Sequence, residues 1–218
     1  MGMTLSHGGH LTHGHKVSAT GKFWTQVPYG VDEKTEVLNY DALKEIAVRE
    51  KPAIIVAGYT AYPRIIDFKK FREIAASCKA VLMVDMSHFA GLVAGGAYPS
   101  PFDYADVVTT TVHKTLRGPR AAMIFSRKDT RELDKKIDKA VFPGLQGGPH
   151  LNQIAAAAVS LGEAMKPDFK EYAKQVVKNA AALANELARL GWRIVSGGTG
   201  THLLLVDTWM NGKGIGGR

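Results

Sequence analysis

Short apolar runs alternate along the chain with longer segments of helical periodicity, and no other feature of the sequence constrains the fold as strongly. The runs are rich in β-branched and other aliphatic residues, which is typical of strands buried on both faces. They lie at residues 53–57, 81–84, 107–112 and 121–125. The spacing of apolar residues indicates helices at residues 41–50, 67–77, 130–139, 152–165 and 168–190. The alternation predicts an α/β fold with a mostly parallel sheet between helices.

The last of these helices marks the end of a large domain. Its predicted apolar face consists of Tyr172, Val176, Ala180, Leu183 and Leu187, so we expect it to pack against the protein rather than to bind a ligand. The first predicted helix, at residues 41–50, has Asp41 as its predicted N-terminal cap. Two further strands are expected at residues 192–195 and 202–206. We therefore predict a large domain at residues 1–190 and the beginning of a smaller C-terminal domain at residues 191–218.

Lys114 lies where a predicted buried strand gives way to a turn that contains glycine and proline. Ligands of open α/β sheets bind at the carboxyl ends of the strands, so this lysine is well placed to meet one. Partial burial near Arg117 and Arg120 should lower its preference for the charged form. An uncharged amine in this position can attack an aldehyde. The alternative is a lysine that only extends past the strand end into solvent.

Asp85 ends the preceding apolar run, and His88 follows three residues later. A carboxylate at the end of a buried strand is costly unless it meets a cation or hydrogen-bond donors. The protonated ring nitrogen of pyridoxal phosphate is such a cation, and this cofactor also needs a lysine to hold its aldehyde. Asp85 and Lys114 lie at the ends of successive strands. Together they predict a site for pyridoxal 5'-phosphate.

A glycine-rich loop, FPGLQGGPH at residues 142–150, precedes a predicted helix. Glycines allow backbone N–H groups to converge on a phosphate, and the start of a helix adds its positive end. The same composition is also typical of a simple turn. The loop is therefore a candidate phosphate site, with Gly147 and Gly148 as the candidate ligands.

Five segments, in this order along the chain, resemble the serine hydroxymethyltransferase (glycine hydroxymethyltransferase) family. They are SHGGHLTHG (residues 6–14), VDMSHFAGLVAGG (84–96), TTTVHKTLRGPR (109–120), FPGLQGGPH (142–150) and SGGTGTHLLLVD (196–207). The resemblance implies the pyridoxal-phosphate-dependent aminotransferase-like fold, fold type I. It also implies transfer of a one-carbon hydroxymethyl group between serine and tetrahydrofolate, giving glycine and 5,10-methylenetetrahydrofolate. The enzymes of this family are longer, so we expect the chain to correspond to the central part of such an enzyme.

The resemblance implies roles for individual residues. Lys114 resembles the lysine that holds the cofactor, His10 the residue that stacks on its ring, and Arg120 an arginine that lowers the lysine's proton affinity. The implied catalytic residues are Lys114, Asp85, His88, His10, Thr111 and Arg120. The implied cofactor contacts are Lys114, His10, Thr60, Asp85, His88, His113, Gly147 and Gly148. The implied tetrahydrofolate contacts are Leu5, Gly9, His10 and Leu11.

The implied assembly is a homodimer or a dimer of dimers with shared active sites, because Gly147 and Gly148 resemble phosphate ligands given to a neighbouring subunit. The expected small-molecule partners are serine, glycine and tetrahydrofolate. Two alternatives stay open. One is that the chain is a catalytically incomplete fragment or a pyridoxal-binding relative, and the other is that it is a folate-independent aldolase of the same fold. Three departures from the family pattern, Val112, Ala121 and Ala122, bear on activity rather than on fold.

Composition argues against other classes of protein. Lysine and arginine exceed aspartate and glutamate by 28 to 20, but these charges are scattered and form no motif for binding nucleic acid. Cys78 is the single cysteine, so the chain has no intrachain disulfide, and with no segment of membrane length we expect a cytoplasmic protein. Four histidines near the start lack acidic or thiol partners, so no metal is expected; they are His7, His10, His13 and His15.

Overall fold

The chain forms eight strands and seven α-helices within the residues that the structure describes, 1–129 and 131–209. This structure is a computed structural model. The strands are β1 (Gly2–Met3), β2 (Pro28–Tyr29), β3 (Ile54–Ala57), β4 (Val81–Asp85), β5 (Val107–Thr111), β6 (Ala122–Ser126), β7 (Arg193–Ile194) and β8 (Val206–Asp207). The α-helices are α1 (Ala19–Phe23), α2 (Tyr40–Glu50), α3 (Phe68–Cys78), α4 (Ala90–Ala94), α5 (Leu133–Lys139), α6 (Leu151–Ala164) and α7 (Pro167–Arg189).

The central sheet has the strand order β3-β4-β5-β6. Strands β3, β4 and β5 are parallel, whereas β6 runs antiparallel to β5. This arrangement confirms the predicted α/β fold with a mostly parallel sheet. The register places Asp85 of β4 beside Thr109 of β5. The carboxyl ends of the three parallel strands therefore meet at one edge of the sheet, as the sequence pattern requires.

Three of the described α-helices, α1, α2 and α3, begin where a side chain accepts hydrogen bonds from their first backbone N–H groups. Asp67 caps α3 by accepting from the backbone N–H of Lys70 at 3.0 Å. At the start of α2 the predicted cap, Asp41, is wrong. Asn39 caps this helix instead, since its side chain accepts from the N–H groups of Asp41 and Ala42, both at 3.1 Å.

The core lies between the sheet and the helices, and α7 contributes a face that agrees with the predicted one except at Leu183: Ala180 is buried, and Tyr172 and Val176 pack against the core. The described side chains that α7 buries are Phe169, Ala173, Ala180 and Ala184. Leu183, which the periodicity placed in that face, is 53% exposed. Small alanine side chains let the helix approach its neighbours closely, so they take the inner positions although leucine is the more hydrophobic residue.

The segment after α7 forms a small antiparallel pair, β7 and β8, in place of the longer predicted strands. Hydrogen bonds hold this segment against two loops, one that precedes α2 and one that follows β3. The backbone N–H of Ser196 donates to Glu36 at 2.6 Å, and Nε of Arg64 donates to the Ser196 hydroxyl at 3.0 Å. The proposed boundary between residues 190 and 191 stays a prediction. Residues 210–218 and Thr130, where a helix was predicted to begin, lie outside the described residues.

Candidate active site

The carboxyl ends of β3, β4 and β5 open onto a cavity of about 360 Å³, within the usual size range of small-molecule sites. Six of the predicted site residues line this cavity. They are His10, Thr60, Asp85, His88, Thr111 and Lys114. The structure therefore brings together residues that are as much as 104 positions apart in the sequence.

Two glycines let the loops around this cavity approach each other closely. Gly58 follows β3 with a φ of +110°, and a Cβ atom there would lie 1.9 Å from the carbonyl oxygen of Asp85. A Cβ on Gly91 would lie 2.1 Å from the carbonyl oxygen of Thr115. The Thr115 hydroxyl accepts from the N–H of Gly91 at 3.0 Å and donates to the carbonyl of His88 at 2.8 Å. These contacts join the turn that carries Lys114 to the start of α4.

Asp85 is held by hydrogen bonds from two neighbours. Its Oδ2 lies 2.8 Å from Nε2 of His13, and its Oδ1 accepts from the hydroxyl of Ser87 at 2.6 Å and from the Ser87 backbone N–H at 3.1 Å. Burial alone would raise the pKa of Asp85, but the hydrogen bonds from His13 and Ser87 outweigh it and lower the pKa to about 2. The carboxylate is therefore charged at neutral pH although it is largely buried.

The sequence prediction missed the roles of His13 and Ser87. A signal for Ser87 existed, because a residue two positions after an aspartate commonly donates to its carboxylate in a local turn. His13 gave no comparable signal, since 72 residues separate it from Asp85. Only the fold brings the two side chains together.

Lys114 has a lowered pKa, but its cause differs in part from the predicted one. Burial lowers the pKa of the amine, while the charge of Asp85 opposes this effect. Arg120 is exposed, and its charge lowers the pKa of His113 instead, after the larger effect of burial. Arg117 points elsewhere, with its guanidinium carbon 4.1 Å from the centre of the Tyr172 ring.

The two imidazoles that line the cavity and were predicted as site residues favour the neutral form. Burial, followed by the charges of Lys114 and His202, lowers the pKa of His88 to about 4. The pKa of His10 is also lowered, first by burial and then by His13. Nδ1 of His10 lies 2.8 Å from the Thr12 hydroxyl, which orients the ring at the cavity wall.

Two threonine hydroxyls at the cavity have unused hydrogen-bonding capacity. The Oγ1 atoms of Thr60 and Thr111 are buried and, among the described residues, have no hydrogen-bond partner. A buried hydroxyl without a partner costs about 1–3 kcal/mol, so both are suited to meet polar atoms of a ligand. Val112, by contrast, is fully buried in an apolar cluster with Leu116. The absence of a hydroxyl at position 112, where the chain departs from the family pattern, is therefore compatible with these apolar surroundings.

The other predicted site residues lie apart from the main cavity. Leu5 lines a second cavity of about 230 Å³, which His10 and His13 share with the first. Gly9 is buried, and Leu11 is 43% exposed without lining either cavity. The remaining four, His113, Arg120, Gly147 and Gly148, also do not line the main cavity. Within the described ranges, no group of three or more histidine, cysteine, aspartate or glutamate side chains is arranged to hold a metal ion.

Comparison with known proteins identifies the family of the chain. The serine hydroxymethyltransferase family model matches residues 1–218. The chain belongs to the serine hydroxymethyltransferase family. It is 58% identical over 212 residues to a serine hydroxymethyltransferase of Koribacter versatilis (strain Ellin345). The match covers 97% of this chain but 49% of that protein, so the chain spans about half the length of this curated relative.

Membership of the serine hydroxymethyltransferase family confirms the resemblance that the five segments indicated. Three of those segments supply residues that line the main cavity, namely residues 6–14, 84–96 and 109–120. The segment at residues 196–207 adds His202, whose ring stacks on that of His88. The glycine-rich segment at residues 142–150 supplies no residue to the cavity lining.

The structure also contains no helix within the described ranges that is both long and apolar enough to span a membrane.

Proposed function

We propose that the protein is a glycine hydroxymethyltransferase that uses pyridoxal 5'-phosphate. It transfers a hydroxymethyl group between serine and tetrahydrofolate, and the products are glycine and 5,10-methylenetetrahydrofolate. One observation carries the proposal beyond family membership: a charged Asp85 and a partly buried Lys114 line the same cavity, at the ends of paired parallel strands. The proposal includes fold type I, the aminotransferase-like fold of cofactor-binding large domains.

When bound, pyridoxal phosphate supplies an electron sink for the negative charge that develops at the α-carbon of an amino acid. Asp85 is suited to the ring nitrogen because its low pKa keeps the carboxylate charged, so it favours a proton on the group that it faces. His13 and Ser87 fix the direction of that carboxylate from two sides. A fixed carboxylate requires no reorganisation during the reaction.

Lys114 would hold the aldehyde of the cofactor. Its lowered pKa increases the fraction of uncharged amine, which is the nucleophilic form and can also accept a proton. Thr60 and Thr111 would meet polar atoms of the cofactor or the amino acid, since their buried hydroxyls have no hydrogen-bond partner among the described residues. His10 would stack on the cofactor ring and His88 would contact its phenolic oxygen.

Tetrahydrofolate would bind at the second cavity, with Leu5, Gly9, His10 and Leu11 as its contacts. His10 and His13 line both cavities, so a ligand in the second cavity would lie beside one in the first. This adjacency supports transfer of a one-carbon unit between two bound molecules, because reaction requires the two to be held close together.

We also propose a homodimer or a dimer of dimers. Gly147 and Gly148 are exposed, and they lie in a region with large exposed apolar side chains. Leu145 is 88% exposed and Leu151 is 69% exposed. Exposed apolar side chains close together are typical of surfaces that another protein covers. In this assembly the two glycines would serve the phosphate site of the neighbouring subunit.

The test is the conversion of serine to glycine by the complete protein, with and without tetrahydrofolate. We expect turnover that depends on tetrahydrofolate and is lost in Lys114→Ala, whereas Lys170→Ala, which removes an exposed lysine of α7, retains it. Conversion at the same rate without tetrahydrofolate would favour a folate-independent aldolase. Cofactor binding without turnover would favour a pyridoxal-binding relative.

A further inference from the structure

His202 packs against one of the histidines that line the main cavity. The centres of the His88 and His202 rings are 6.1 Å apart, and the ring planes differ by 29°. This is a stacked arrangement within the usual range of aromatic contacts. His202 follows α7, so a residue of the C-terminal segment packs directly on a side chain that lines the cavity.

The segment that carries His202 is held in place by hydrogen bonds to the loop after β3. Thr199 donates from its hydroxyl to the carbonyl of Pro63 at 3.1 Å, and the N–H of Gly200 donates to the same carbonyl at 2.9 Å. Thr201, next to His202, is only 3% exposed. The position of His202 is thus set by the fold, in contrast to that of a surface side chain that happens to touch a neighbour.

No hydrogen bond within the described residues explains why an imidazole is needed here. Nδ1 of His202 is buried and, among those residues, has no partner. A buried nitrogen without a partner is unfavourable for stability. Its stacking contact with His88 is the interaction that accounts for the ring, so its role should be sought there.

We propose that His202 is a positioning residue for His88. Its ring keeps the imidazole of His88 in one plane and excludes water from the face that points away from the cavity. His88 then presents a fixed, uncharged ring to whatever occupies the cavity. In the proposed function that ligand is the cofactor, and the C-terminal segment would in this way help to complete the site.

The charges around His88 support this role. Burial is the largest influence that lowers its pKa, and repulsion from Lys114, and from His202 and His10 when they are protonated, acts in the same direction. Asp85 acts in the opposite direction. The pKa of His202 is itself lowered, first by burial and then by Lys114. A neutral His88 therefore depends mainly on its being covered, and His202 provides part of that cover.

The experiment is an NMR titration of the His88 ring in the complete, cofactor-free protein, for the parent and two variants. We expect His202→Ala to raise the His88 pKa from about 4 toward its ordinary value of 6.5, because the ring becomes more exposed to water and a neighbour that repels the charged form when protonated is removed. His202→Phe preserves the stacked ring and the cover. It should therefore keep the His88 pKa much closer to that of the parent.

His150→Phe serves as the matched control, because His150 is exposed and does not line the cavity. It should leave the His88 titration unchanged. An unchanged titration in His202→Ala would overturn the proposal, and so would an equal shift in His150→Phe. The measurement uses no cofactor, so its outcome does not depend on whether the proposed enzymatic function is correct.

Discussion

Replacing Ser87 by alanine removes the hydroxyl that joins Asp85 to β5. That hydroxyl donates to Oδ1 of Asp85 at 2.6 Å and accepts from the backbone N–H of Thr111 at 2.9 Å. The variant keeps the backbone N–H of residue 87, which also donates to Asp85. We expect Ser87→Ala to destabilise the protein and to raise the pKa of Asp85, since a donor to the charged form is lost.

The magnitude follows from the pKa of Asp85. This pKa is about 2, against an ordinary value of 3.8, and each pH unit of difference is equivalent to about 1.4 kcal/mol. The carboxylate thus contributes about 2 kcal/mol above pH 4, and this contribution is lost as the pH falls toward 2. The hydrogen bond from the Ser87 hydroxyl accounts for about 1 kcal/mol of this stabilisation. The substitution also leaves the backbone N–H of Thr111 without its partner, which costs about 1–3 kcal/mol more.

The assay is urea denaturation of the parent and the variant at several pH values. At pH 7 we expect Ser87→Ala to lower the free energy of unfolding by about 2–4 kcal/mol. The difference should narrow toward pH 2, where Asp85 becomes protonated in the parent too. Ser77→Ala is the control, because Ser77 is exposed on α3 and its hydroxyl donates only to the carbonyl of Ile74. Equal losses of stability in the two variants at pH 7 would show that the Ser87 hydroxyl does not stabilise charged Asp85.

Two further substitutions test the carboxylates at opposite ends of the parallel strands, Asp106 before β5 and Asp85 at the end of β4. Asp106→Asn should lower the free energy of unfolding by about 3 kcal/mol, because buried Asp106 accepts from both Arg72 and Arg131 and a buried ion pair is costly to break. A loss under about 1 kcal/mol in urea denaturation would contradict this expectation. Asp85→Asn should reduce serine turnover about a hundredfold or more while the cofactor still binds, and turnover equal to that of the parent would contradict the role given to Asp85.

The parts of the structure that follow from local sequence were predictable. The apolar runs end at Asp85 and shortly before Lys114, so the parallel sheet and its functional edge could both be inferred from strand positions. What the sequence could not reveal depends on contacts between distant segments. His13 reaches Asp85 across 72 positions, and the guanidinium of Arg117 lies over an aromatic ring of α7 instead of beside the lysine.

Local patterns also failed where two candidates competed within a few residues. Both Asn39 and Asp41 are good helix caps, and the choice between them depends on where the backbone turns rather than on side-chain preference. On α7, periodicity alone favoured Leu183 for the inner face, but alanines occupy it because the helix packs closely. In each case the packing of neighbouring elements decided the outcome.

The proposed role of Lys114 as the lysine that holds the cofactor can be tested directly by chemical trapping. Borohydride treatment of the protein with substoichiometric pyridoxal phosphate converts a reversible link between the aldehyde and an amine into a permanent label, and peptide mapping then locates it. We expect one dominant labelled peptide, the one that contains Lys114, because the lowered pKa of this lysine and its place at the cavity favour reaction. A dominant label on any other lysine, or an equal yield of label from Lys114→Ala, would contradict it.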